Sequence, residues 1–302
     1  MAGLSKGDLI DRANSIIGEY EGLKLTIRQI YYRLVAGQLI PNSISSYQKV
    51  VKCLAYARRE GLVDYDDIED RTREVHQVDT ETYESATNYF NGYLDYIKKL
   101  DENYSLPVWW GQPVKLQVWV EKQALSSLFQ AVTDKWGVDL VVCRGYPSLT
   151  LLHDASVVLN DDDSKDLQII YFGDFDPSGA DIERNVGESL DADFNVVMDI
   201  ERIAITRGQI EKYHIPPAPA KTSDSRYNGF VEREGVAWQV ELDAIEPKML
   251  QKMIENAIKK HYDPKKGQER DKELIFKKEK IRGWIENAFN PNFEPPKDDD
   301  NV

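Results

Sequence analysis

Apolar residues recur every three or four positions over the first hundred residues. In "DLIDRANSIIGEY", residues 8–20, Leu9, Ile10, Ala13, Ile16 and Ile17 share one face, the spacing of an amphipathic helix. After "EGLK", Thr26 has the hydroxyl to cap a second helix, "IRQIYYRLVAGQ", which ends near Gly37. Its core stripe is Ile27, Ile30, Tyr31 and Leu34. A third helix, "NSISSYQKVVKCLAYARREG", is capped among Asn42–Ser46 and stopped at Gly61. There Val50, Val51, Leu54 and Ala57 form the inner stripe, while Lys49, Lys52, Tyr56 and Arg59 face outward. A helix, a turn, a second helix and a following extended stretch are the parts of a helix-turn-helix or winged-helix module. Residues 79–104 add a tyrosine-rich helix, and Pro107 and Pro113 mark a boundary.

From residue 114 the period changes. "VKLQVWV", "VDLVVC" and "DLQIIYF" are short apolar runs rich in β-branched and aromatic residues. Between them lie the helical stretches "KQALSSLFQAVTDKWG" and "SLTLLHDASVVLND". The β-α-β-α-β order predicts an α/β fold with a parallel sheet covered by helices, and "NVVMDIERIAI" adds a strand. Residues 214–230 have the proline and small polar content of a long surface loop. Residues 246–289 return to helix, and "NPNFEPPKDDDNV" reads as a disordered tail. The expected organisation is a mostly helical domain over 1–105, an α/β domain with C-terminal helices over 106–290, and a tail over 291–302.

At 302 residues the chain is long enough for two cores. No apolar run approaches the ~18 residues of a membrane span, and "MAGLSKGDLIDRAN" lacks the apolar centre of a signal peptide. The expectation is a cytoplasmic protein with no membrane partner. Cys53 and Cys143 suit buried reduced thiols, and the four histidines form no ligand spacing. The formal charge of -14 argues against a wholly basic nucleic-acid coat, but binding depends on a local face.

Chemistry concentrates where strands end. "LQVWV" runs into Glu121, and "LQIIYF" runs into Gly173, Asp174 and Asp176. In open parallel sheets ligands bind at the carboxyl edge. Three carboxylates there make a hard oxygen site suited to Mg²⁺, which keeps waters and leaves positions for phosphate oxygens. Asp-x-Asp-Pro-x-Gly is also an ordinary turn composition. A phosphatase of the haloacid-dehalogenase type would use such an Asp-x-Asp too. That family places Thr or Val where Ser178 stands and requires no earlier strand-terminal glutamate.

A strand-terminal Glu followed by a helix, then Gly-Asp-x-Asp-x-x-Gly after a later strand, resembles a Toprim domain. "VVCRGYPSLT" and "GDFDPSG" resemble the corresponding turns of the A subunit of DNA topoisomerase VI. The resemblance implies that Glu121, Asp174 and Asp176 bind Mg²⁺ or Mn²⁺. Asp181 is a lesser companion that also reads as a helix-surface residue.

The second helix carries the other candidate. Tyr32 points about 100° from Tyr31, off the core stripe, and one turn after Arg28. A phenol can attack phosphorus while an arginine compensates the phosphate charge. Tyrosine pairs on amphipathic helices are common as structure alone. "TIRQIYYRL" resembles the Thr-x-Arg-x-x-Tyr-Tyr segment of topoisomerase VI A subunits and their meiotic relatives, in which a winged helix carries the nucleophilic tyrosine. That resemblance, over roughly residues 20–200, implies a winged helix followed by Toprim, with Tyr32 as nucleophile and Arg28 as its helper. It implies DNA contact through Lys49, Lys52, Tyr56 and Arg59, and Mg²⁺-dependent cleavage of double-stranded DNA by a homodimer. Two further readings stay open: a hydrolytic Toprim nuclease, and a non-catalytic DNA-binding module of a plasmid or phage system. The sequence holds no Walker-type phosphate loop, so an ATPase B-type subunit would be a separate chain.

Overall fold

The computed structural model describes residues 4–20, 23–68, 85–160 and 164–288. The chain divides into two compact units, residues 1–74 with 113–261, and residues 75–112 with 262–302. The first unit opens with three helices, α1 (Lys6–Gly18), α2 (Ile27–Ala36) and α3 (Ile44–Arg59). Ser5 and Asp8 form a capping box at α1, and Thr26 and Gln29 form another at α2, so orphan backbone donors are satisfied by local side chains. Leu9, Ala13, Leu25, Ile30, Leu34, Val50 and Leu54 are fully buried together, drawn largely from the predicted stripes; on α3 Cys53 is buried with them and Val51 only partly so. Tyr31 joins that core, and its hydroxyl donates to Asn42 Oδ1 at 3.0 Å and accepts the Ser43 N–H at 2.8 Å. The extended stretch expected after α3 reaches the described residues as one isolated parallel bridge, Leu25 to Ile68.

The second unit begins with α4 (Ala86–Lys98) and α5 (Leu100–Asn103). The chain then returns to the first unit with β1 (Val114–Val120), α6 (Ser126–Trp136), β2 (Asp139–Val142), α7 (Leu149–Leu159), β3 (Asp166–Phe172), α8 (Gly179–Phe194) and β4 (Asp199–Ala204). All four strands are parallel, in the order β2-β1-β3-β4, as a β-α-β alternation requires. The two central strands are buried on both faces, which explains their unbroken apolar runs. Trp119, Ile169 and Tyr171 pack with Leu152, Ile182 and Leu190 of α7 and α8. Phe172 meets Phe129 of α6 edge-on, with ring centroids 4.9 Å apart.

Beyond β4 come α9 (Arg207–Lys212), β5 (Ala218–Pro219), α10 (Tyr227–Glu234), β6 (Trp238–Gln239) and α11 (Pro247–His261). The expected surface loop over 214–230 needs correction. Ile215 and Ala220 are buried, Ala218–Pro219 pairs antiparallel with Trp238–Gln239, and α10 starts at Tyr227. Proline content signalled a loop, while the partner strand that ties it down lies twenty residues on.

The long α12 (Pro264–Ala288) completes the second unit. Arg282 Nη2 pairs with Asp101 Oδ2 at 2.8 Å, and Arg270 Nη2 donates to the Leu106 carbonyl at 2.8 Å. Residues 291–302, predicted as a tail, lie outside the described residues. Cys53 and Cys143 are buried free thiols. Among the described residues no helix is long and apolar enough to cross a membrane.

Candidate active site

Strands β1 and β3 are neighbours in register, Val120 opposite Phe172, so the residues after them emerge side by side. The Glu121 N–H donates to the Phe172 carbonyl at 2.9 Å, and Glu121 Oε2 accepts the Asp174 N–H at 2.9 Å. This approach needs glycine between them. A Cβ on Gly173 would lie 2.9 Å from Glu121 Oε2 and 2.7 Å from the Tyr171 ring. Asp174 in turn accepts the Leu242 N–H on Oδ1 at 2.8 Å. Both acids are buried, and burial pushes both carboxyl pKa values above the ordinary range. The charge of Asp176 adds to the effect at Glu121, while Lys122 opposes the rise at Asp174.

Asp176 has a different setting. Its Oδ1 accepts the Ser178 hydroxyl at 3.0 Å and the Gly179 N–H at 2.6 Å, which caps the start of α8. It lines a cavity of about 230 Å³ with Asp174 and Arg202, whereas Glu121 lines a separate one of about 530 Å³.

Lys122 holds the centre of the charged cluster. Its Nζ lies 3.0 Å from Asp174 Oδ2, 3.0 Å from Glu241 Oε2 and 3.6 Å from Asp243 Oδ2. Burial disfavours the ammonium, but Asp243, Asp174 and Glu241 outweigh that cost and hold its pKa above the ordinary lysine value. Arg28 reaches the same acids from α2. Its Nη1 pairs with Glu241, and its Nε is 3.9 Å from Asp243 Oδ2. Arg33, one turn and a half later on α2, donates to the Ala244 carbonyl at 2.7 Å. Neither oxygen of the buried Asp243 carboxylate makes a hydrogen bond, so the two cations compensate it at longer range.

Tyr32 belongs to this cluster. The phenol is half-buried against the helical core, and burial raises its pKa. Glu241 adds to the rise, while Lys122 and Arg28 oppose it. Tyr32 thus lies within electrostatic reach of Arg28, Lys122, Glu241 and Asp243 of the same chain.

Arg202 of β4 organises the loop that carries the aspartates. Its Nη1 faces the carbonyls of Gly173 at 3.2 Å and Asp174 at 3.3 Å, and Nη2 donates to Gly179 at 3.0 Å. Glu183 anchors its Nε at 2.6 Å. Arg202→Ala is expected to lower stability by about 2 kcal/mol, since it strips charged donors from carbonyls that are partly buried. Urea unfolding measures this; an unchanged midpoint would show that the loop holds itself.

The outward residues of α3 divide into two pairs. Lys49 donates to the Leu4 carbonyl at 2.8 Å, and Lys6 sits over the Tyr56 ring, 2.8 Å from its centre. Lys52 and Arg59 are exposed. Asp181 accepts hydrogen bonds from Tyr146 and Arg184 and pairs with Arg226 at 3.6 Å, a surface network.

The donor chemistry of Glu121, Asp174 and Asp176 suits a hard divalent cation, which would relieve two buried carboxylates. The hydrogen bonds described use one oxygen of Glu121 and one of Asp176 and leave the other. Lys122 takes the outer oxygen of Asp174. As the side chains stand, no group of three or more acids, histidines or cysteines among the described residues is arranged to hold a metal.

Sequence reasoning passed over Lys122, Arg202, Glu241 and Asp243. A signal existed for the last two: "VELD" is an apolar run ending in Glu-x-Asp, the same punctuation as "YFGDFD". No protein-family model matches the chain, and no curated protein matches it either.

Proposed function

We propose that this chain cleaves double-stranded DNA as a topoisomerase VI A-subunit-like transesterase, with a winged-helix part carrying Tyr32 and a Toprim part carrying the acids. The observation that supports this reading best is the shared cluster. Tyr32 and Arg28 of α2 share Glu241 and Asp243 with Lys122, and Lys122 in turn pairs with Asp174 at the carboxyl edge of the parallel sheet. In the proposed step the Tyr32 oxygen forms a bond to a backbone phosphorus and loses its proton. The phosphorus–oxygen bond to one deoxyribose breaks, and the sugar oxygen leaves with a proton. Arg28 compensates the phosphate charge. Glu121, Asp174 and Asp176 would hold Mg²⁺ or Mn²⁺, which supplies positive charge at the phosphate oxygens. A double-strand break takes two copies of the chain, hence a homodimer, and an ATPase B-type subunit would be a separate partner.

The burial of Tyr32 and its raised pKa favour a second reading, a hydrolytic nuclease in which water attacks and Tyr32 is structural. Incubation with supercoiled DNA and Mg²⁺, followed by protease treatment, separates the two. Wild-type protein is expected to leave protein-linked DNA ends, and Tyr32→Phe to leave none. A Tyr32→Phe protein that cuts as fast as wild type, with free ends, would establish the hydrolytic reading instead.

A further inference from the structure

The cavity of about 530 Å³ beside Glu121 draws cations from four separate segments: Arg28 of α2, Arg58 of the last turn of α3, Lys122 after β1 and Arg144 after β2. Its acids are Glu121 and Asp243. Lys122 and Arg28 are committed to carboxylates. Arg58 and Arg144 are not, since neither pairs with any described carboxylate. Arg58 stacks on Tyr65, 4.6 Å from the ring centre, and donates weakly to the Tyr65 carbonyl at 3.4 Å. Its Nε is buried without a hydrogen-bond partner. Arg144 is exposed at the cavity and stands in the left-handed region at φ 55°, directly before Gly145, which also lines the wall.

Asp174, Glu241 and Asp243 answer Arg28 and Lys122, so the positive charge still open to an anion at this wall is that of Arg58 and Arg144, in a chain whose formal charge is -14. A concave wall focuses that surplus, so an anion is drawn here rather than to the acidic remainder. The guanidinium fork matches the oxygens of a phosphate in plane and spacing, and two forks from different segments can grip one group from two sides. Tyr47 adds an aromatic wall, with the Arg28 guanidinium 5.2 Å from its ring centre. Arg59, by contrast, is one residue from Arg58 and lines none of this wall.

We infer that this cavity is a phosphate-binding site gripped by Arg58 and Arg144. Where the phosphate is part of a DNA backbone, the inference rests on the DNA reading above; a free phosphate compound would not need it. Fluorescence anisotropy with a short labelled blunt-ended duplex, in EDTA so that no cleavage intervenes, tests the first source. Arg58→Gln and Arg144→Gln should each weaken duplex binding about tenfold, the loss of one charged hydrogen-bonding group. Each should also reduce the slope of log affinity against log salt by about one. Lys212→Gln, on a helix away from the cavity, should change neither.

Pyrophosphate, read by the shift in thermal midpoint, tests the second source. If the wild type ignores the duplex but pyrophosphate stabilises it and not the double variant, the site stands and the DNA reading falls. If duplex affinity and salt slope are untouched in both variants, the site is overturned while the DNA reading survives through another face. If neither ligand binds, the site is overturned. Arg144→Gln alters an exposed loop residue, so its own unligated midpoint should match wild type.

Discussion

Lys122→Met is expected to destabilise the first unit by about 3–5 kcal/mol, the range for breaking a buried ion cluster by removing one partner. The methionine fills the same space, so packing is nearly conserved and the loss reports charge. Asp174, Glu241 and Asp243 would be left facing one another with only Arg28 nearby. Two outcomes should accompany it in urea unfolding. Combining Lys122→Met with Glu241→Gln and Asp243→Asn should recover much of the loss, because the stranded charges go with it. Lys122→Arg should lie between, since its fork does not reproduce the reach of a single ammonium to three acids. A Lys122→Met protein with the wild-type midpoint would mean that water already screens these carboxylates.

Gly179→Ala comes next in size, at about 3 kcal/mol, the upper end for overpacking. A Cβ there would fall 2.3 Å from the Asp174 carbonyl oxygen and 3.2 Å from Glu121 Oε2. The obstacle is backbone, so no rotamer change relieves it. Either the start of α8 shifts and loses the Asp176 cap, or the Asp174 turn opens and loses its bond to Glu121. The thermal midpoint should fall, and with it the DNA cleavage proposed above. Gly187→Ala, in the same helix, meets only the flexible end of Ile200 at 3.1 Å and should be nearly neutral. Equal effects from the two alanines would show that helix propensity, not the close approach, governs both.

Much of the first unit could be read from local pattern. The three N-terminal stripes and the four strands follow from periods of 3.6 and 2, together with strand-length apolar runs. The pairing of Glu121 with Asp174 was also legible, because each follows an apolar run that had to be a buried strand. Lys122 and Glu241 were not legible as partners. A lysine after a strand reads as solvated until a distant loop is seen to fold over it. Tyr32 shows the same limit: helical geometry placed it off the core stripe, but Glu241 and Asp243, whose charges act on its phenol, come from the far end of the α/β part. Arg58 and Arg59 differ by one helical step. Outward direction alone favoured Arg59, whereas the cavity wall is formed by Arg58 and by turns more than sixty residues later in the sequence.

The second unit is assembled from two stretches of chain, and synthesis delivers them far apart in time. The buried Asp101 is paired by Arg282, and the carbonyl of Leu106 accepts from Arg270. On the ribosome, α4 and α5 emerge while the whole parallel sheet is still unmade. The Asp101 carboxylate and the Leu106 carbonyl must stay solvated until α12 leaves the exit tunnel. The first unit can close around its sheet before that moment. The order of events is therefore written into the connectivity: the two segments of the α4–α12 unit bracket the sheet in sequence, and a stalled or shortened message would release a chain with a finished sheet and an unfinished helical unit.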